Sequence, residues 1–237
     1  MNDQEEKFDF EKNWQGKFSR AVEKELGKEP RDSVLQGGET LTDGSNTEEK
    51  VSWTCEALDQ LALITDEQTR QEILTQCACK YPVEDLQDVK AAYKKGGDVD
   101  LALSMLQEKF EFFLRETLGL EEKLIKTILG LGWGVAGKRE GQTIIATKIP
   151  KSGYLEQYFN EADPLQKRRY YCHCPRVRDG VGADPTLPMT YCYCGAGFYK
   201  GIWEEILGET VGVEMLESVL QGDEVCKIAV HLPNKWN

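Results

Sequence analysis

Between Thr47 and about Gly130 the apolar residues recur three and four positions apart, the spacing of helices that bury one face. Punctuation divides the stretch. Thr65 with Gln68 fits a capping box ahead of Ile73 and Leu74, and Tyr81, which precedes Pro82, is held out of the helical region, so one helix should close there. A second is expected from Pro82 to Lys95, stopped by Gly96-Gly97. Asp98 can cap a third that carries Leu101, Leu103, Leu106, Phe110 and Phe113, and Glu121 to Leu129 forms the last. The pattern predicts a module of four or five helices over residues 47–131.

Past that point the apolar runs shorten and become β-rich, which marks a second unit over residues 132–237. Trp133 to Lys138, a Glu140-Gly141 turn and Thr143 to Ile149 suit a hairpin, and a helix follows from Ser152 to about Glu161. Arg169 to Cys174 is expected as a strand leading into a proline-rich loop. Phe198 to Leu207 is expected as a helix closed by Gly208, and Thr210 to Leu220 with Glu224 to Leu232 as a C-terminal hairpin turning at Gln221-Gly222-Asp223. Residues 1–46 hold short helical stretches such as Phe18 to Leu26 among many charges and glycines, and are expected to form a flexible acidic arm. The fold class expected is α+β: an N-terminal helical module followed by an α/β domain with antiparallel hairpins and a cysteine metal site.

At 237 residues, 40% of them hydrophobic, the chain can build an ordinary core without disulfides. Its first six residues lack the basic and apolar regions of a secretory signal, and no apolar run approaches the roughly 18 residues of a membrane span. A cytoplasmic location with no membrane partner is therefore expected. The formal charge of -12, from 29 basic and 41 acidic residues, argues against nucleic acid as a partner, since phosphate binding needs a positive face.

Of the eight cysteines, six lie in Cys-x-Cys pairs, and in a reducing compartment such grouping points to metal rather than disulfides. Along an extended backbone, residues i and i+2 share a side, so Cys172 with Cys174, and Cys192 with Cys194, can each act as a clip. Together they supply the four soft ligands of a zinc site or, alternatively, an iron-sulfur cluster. Cys77 and Cys79 sit where Pro82 ends a helix and are candidates to join the site, with core packing the favoured alternative. Cys55 is expected to behave as a small buried hydrophobe.

Lys167, Arg168, Arg169, Arg176 and Arg178 crowd five cations into the segment that holds the first clip. They favour thiolates, and Arg168, Arg169, Arg176 and Arg178 could equally select an anionic ligand. Cys194 precedes Gly195-Ala196-Gly197 and a helix, whose start favours negative charge. Only two histidines are present, which limits acid-base chemistry: His173 between two cysteines, and His231 in a strand where a structural role is expected.

Tyr171-Cys172-His173-Cys174-Pro175-Arg176-Val177-Arg178, with Cys192-Tyr193-Cys194-Gly195, resembles an uncharacterised bacterial family that looks related to 2-amino-thiazoline-4-carboxylate hydrolase. Leu216-Glu217-Ser218 and Gly222-Asp223-Glu224-Val225-Cys226 are similar to the end of 4-vinyl-reductase-type domains, small-molecule binders of α/β architecture of which some hold zinc. The resemblance implies that Cys192 and Cys226 stand at ligand positions, while Met215 and Ser218 occupy places where those members carry Glu and Cys. That departure makes Cys226 a reserve ligand beside Cys172, Cys174 and Cys194.

The expectation is thus a zinc-binding small-molecule-binding or sensory protein with a cationic pocket for a small anionic molecule, with a homodimer admitted. One alternative is a hydrolase of a small carboxylated heterocycle, working through zinc-bound water or through Cys194 as nucleophile with His173 as base. A thiol or iron-sulfur redox protein is the other.

Overall fold

The computed structural model describes residues 8–176, 178–183 and 187–233. Its first half is helical: α1 (Phe10–Leu26), α2 (Lys28–Val34), α3 (Thr47–Ile64), α4 (Glu67–Thr75), α5 (Gln87–Gly96), α6 (Val99–Phe112) and α7 (Glu122–Gly130). Most starts are capped by a short acid or amide. Asp9, Asn46 and Asp98 accept from first-turn amides of α1, α3 and α6. α4 is capped by Asp66 rather than Thr65, because the Thr65 hydroxyl donates back to the Leu61 carbonyl at 2.6 Å. α6 runs on into a π-helical turn, Phe113–Thr117, where one extra residue enters the helix.

Instead of a flexible arm, residues 10–34 form α1 and α2. Trp14, Phe18, Ala21 and Val22 lie on one face of α1 and are buried in the same core as the helices and sheet. The Trp14 and Phe18 rings stack at 5.2 Å. Apart from the buried Glu11, the charges that suggested mobility occupy the more exposed side of an amphipathic helix.

The second half carries β1 (Lys138–Glu140), β2 (Thr143–Thr147), α8 (Leu155–Asn160), α9 (Pro164–Tyr171), α10 (Tyr193–Leu207), β3 (Gly212–Glu217) and β4 (Lys227–His231). An antiparallel hairpin forms near each expected place, but the first strand of the first is Lys138–Glu140 rather than Trp133–Lys138, with the turn at Gly141-Gln142, and β2 pairs with β4 to give one antiparallel sheet in the order β1-β2-β4-β3. α10 packs on this sheet with one side and on α4 and α5 with the other, which joins the two halves. The approach to α4 depends on Gly197: a β-carbon there would strike the Thr75 carbonyl oxygen and lie 2.8 Å from its carbon.

Two local expectations are corrected. Arg169–Cys174 is not a strand: Pro164 opens α9, Asp163 caps it by accepting from the Gln166 amide, and Cys172 ends it. Nor is the second clip extended, because Cys192 closes a 3-10 turn and Cys194 lies in the first turn of α10. Residues two apart on a helix point roughly 200° apart, so that pair is not a bidentate clip.

Candidate functional site

A cavity of about 1110 Å³ opens between the helices and the sheet. Its polar wall is built from the ends of elements. The Lys148 amide, just past β2, donates to the Cys226 carbonyl at 3.0 Å, so the β2–β4 ladder delivers Lys148 and Cys226 side by side. The buried Tyr171 hydroxyl donates to the Lys148 carbonyl and accepts from the Cys226 amide at 3.1 Å. This pins the end of α9, and with it Cys172, to the strand ends. His173 makes a second tie, its Nε2–H donating to the Ile149 carbonyl at 2.7 Å. Cys192 and Cys194 arrive from the start of α10, and the Cys192 Sγ lies 3.1 Å from the Ser218 hydroxyl.

Five cysteines therefore line one cavity: Cys172, Cys174, Cys192, Cys194 and Cys226. Burial pushes the Cys172 thiol up to about 12, with Cys174 and Cys226 adding to it. Burial likewise raises Cys192 well above the usual thiol range, with Cys226, Cys172 and Cys174 contributing, and takes Cys194 up to about 12, with Cys174 contributing. Burial raises Cys226 too, against the opposing charge of Lys148. At neutral pH Cys172, Cys192, Cys194 and Cys226 are therefore uncharged thiols. Among the described residues no three His, Cys, Asp or Glu side chains are already arranged to hold a metal ion. Soft, mutually close thiols beside a lysine are nonetheless the donor chemistry that zinc takes. Cys79 also lines the cavity, whereas Cys77 is buried, with its carbonyl accepting from the Cys194 thiol at 3.4 Å. Cys55 is half-buried in α3, away from the lining.

Only one of the four arginines expected to bind ligand, Arg178, reaches this lining. Its Nε donates to the Cys172 carbonyl at 2.9 Å and its guanidinium lies over the Tyr154 ring. Arg168 and Arg169 bond the Gly222 and Val181 carbonyls. Arg176 is not a ligand group at all. It is 1% exposed, its Nε and Nη2 hold the carboxylate of Glu11 at 2.6 and 2.9 Å, and its plane sits 3.9 Å from the Trp14 ring. Burial alone would lower its pKa, but Tyr191 and Glu11 hold it above the ordinary value. Through Nη1 it also donates to the Tyr191 hydroxyl, which in turn contacts the Cys174 Sγ at 3.2 Å.

The lining cations that sequence reasoning missed are Lys109 on α6, and Lys148 and Lys151, isolated lysines just past a strand end with no motif around them. The apolar wall, including Phe110, Phe113, Phe198 and Met215, was legible only as generic core. His231 lies elsewhere, on β4, near Thr143 and Glu214. His173 and Cys194, paired in the covalent expectation, are not hydrogen-bond partners: each is bonded to a backbone carbonyl instead. Burial, aided by Lys148, drives His173 down to about 3, so it is neutral at physiological pH.

Residues 151–236 match DUF6144, a family of unknown function. The DUF6144 segment spans just over a third of the chain and carries five of the six cavity cysteines, all but Cys79, and leaves out Lys148 and every residue of α1 to α7. No curated protein and no solved structure matches the chain. No helix among the described residues is long and apolar enough to cross a membrane.

Proposed function

We propose that this protein binds a small organic anion in the cavity and that the cysteine wall holds zinc. The observation that carries the reading is the convergence of five cysteines, from α9, α10 and the lead-in to β4, on one cavity large enough for an organic ligand. Pockets that enclose drug-sized molecules run from roughly 300 to 1,000 Å³. The Tyr171 hydroxyl ties the end of α9 at Cys172 to the Cys226 amide, and Cys192 lies against Ser218, whereas the Cys194 thiol donates to the Cys77 carbonyl at 3.4 Å. This shifts the favoured ligand set from Cys194 toward Cys226. Ser218 beside Cys192 supports the arrangement implied by the vinyl-reductase-type resemblance. Bound there, zinc would lock the Cys172–Arg176 turn and α10 together.

Elemental analysis of the purified full chain tests the reading. About one zinc per chain is expected, lost in Cys192→Ser and Cys226→Ser and kept in Cys55→Ser. A chain without stoichiometric zinc whose eight thiols all titrate freely overturns it; iron in place of zinc would favour the cluster reading. The hydrolase reading with Cys194 as nucleophile is the weaker one, because both Cys194 and His173 are engaged by backbone carbonyls.

A further inference from the structure

Most of the positive charge on the cavity wall is not compensated. Of the four cations that line the cavity, Lys109 on α6 is paired with Asp88 at 2.9 Å, but Lys148, Lys151 and Arg178 form no ion pair among the described residues, in a chain whose formal charge is -12. The acids on the lining, Asp85 and Glu108, come from the turn after Pro82 and from α6 rather than from the strand ends and the cysteine turn that carry these three cations. A buried or half-buried ammonium with no counter-ion is costly to hold unless something supplies the charge.

Lys148 is the best placed of the three. Its Nζ lies 3.5 Å from where a Gly195 β-carbon would stand, so the ammonium rests against the bare first turn of α10. No side chain caps that fifteen-residue helix. The 3-10 turn Met189–Cys192 runs straight into α10 and takes up the Tyr193 amide on the Thr190 carbonyl, so Lys148 itself supplies the positive potential at this spot, on the wall of a cavity that is otherwise largely apolar. One ammonium matches a single negative charge. The apolar part of the lining includes Phe110, Phe113 and Phe198, and Phe112 beside them is 64% exposed, unusual for a phenylalanine and suited to an entrance. The π-helical turn adjoins it.

We infer that the cavity's occupant is an amphipathic carboxylate, with its carboxylate on Lys148 at the start of α10 and its apolar body along the phenylalanine wall. This rests on the small-molecule reading above and names the class of molecule; it does not require the zinc. The test is isothermal titration of the full chain with phenyloctanoate and with phenyloctanol, which share a body and differ in head group, with zinc content measured on the same samples.

The carboxylate is expected to bind at least about tenfold more tightly than the alcohol. Lys148→Met should bring the ratio to about one, and Lys148→Arg should retain the preference, which separates charge from folding defects. Equal affinity for the two ligands, or a tenfold preference that survives Lys148→Met, overturns the inference. Zinc-loaded protein without head-group preference defeats this inference alone. Metal-free protein that keeps the preference defeats the zinc reading alone, and a chain that binds neither ligand defeats the small-molecule reading.

Discussion

Replacing Glu11 by alanine removes the only carboxylate among the described residues that pairs with the Arg176 guanidinium, which is 1% exposed. Arg176 would keep its bonds to Tyr191 and Thr54 and its contact with Trp14, but lose two charge-assisted bonds of 2.6 and 2.9 Å and all neutralisation. Breaking a buried pair from one side costs about 3–5 kcal/mol, because the remaining charge is stranded away from water. Against a total stability of roughly 5–15 kcal/mol that is a large share. Urea unfolding followed by tryptophan fluorescence measures it: with a slope of about 3 kcal/mol/M, the midpoint should fall by about 1–1.7 M. The double variant Glu11→Leu with Arg176→Met, which removes both charges and keeps apolar volume, should recover most of the loss. A Glu11→Ala loss below about 1 kcal/mol would refute the reasoning, since it would mean that water reaches Arg176 and that α1 does not seal this side of the cavity.

Two further outcomes follow from single positions. Gly197→Ala should cost about 3 kcal/mol or more in thermal or urea unfolding, because its β-carbon meets Thr75 backbone that cannot rotate aside, whereas Gly201→Ala in the same helix meets nothing within 4 Å and should gain about 0.5–1 kcal/mol; equal effects would disprove the close α4–α10 approach. For His173 the folded value of about 3 lies below the unfolded value of about 6.5, so between them the unfolded chain binds the extra proton. Stability present above pH 6.5 should fall on the order of 4 kcal/mol as pH drops toward 3, and His173→Gln in metal-free protein should flatten that limb; an unchanged slope would contradict the burial of the ring.

Local signals were legible where the chemistry is local. Asp98, the Gly96-Gly97 stop, the Glu140-Gly141 turn and Gly208 act within a few residues of themselves, and the elements they bound are found. The grouping of cysteines was equally open to reading, since their number and spacing are properties of the string. Backbone form around them was not. Arg169 to Tyr171 is rich in side chains that suit a strand, yet Asp163 and Pro164 upstream commit it to a helix.

What the sequence alone determined, then, is the helical run from Thr47 to Gly130, the β-hairpin pattern of the second half and the existence of a cysteine-rich segment. What only the tertiary structure decided is which groups meet. The β2–β4 ladder sets Cys226 beside Lys148, the Tyr171 hydroxyl brings Cys172 to them, and Glu11 reaches across 165 positions to take Arg176 out of contention as a ligand. Those pairings depend on the register of a non-local sheet and on packing across the core. Hydrophobic period and capping chemistry act over a turn or two and carry no information about either.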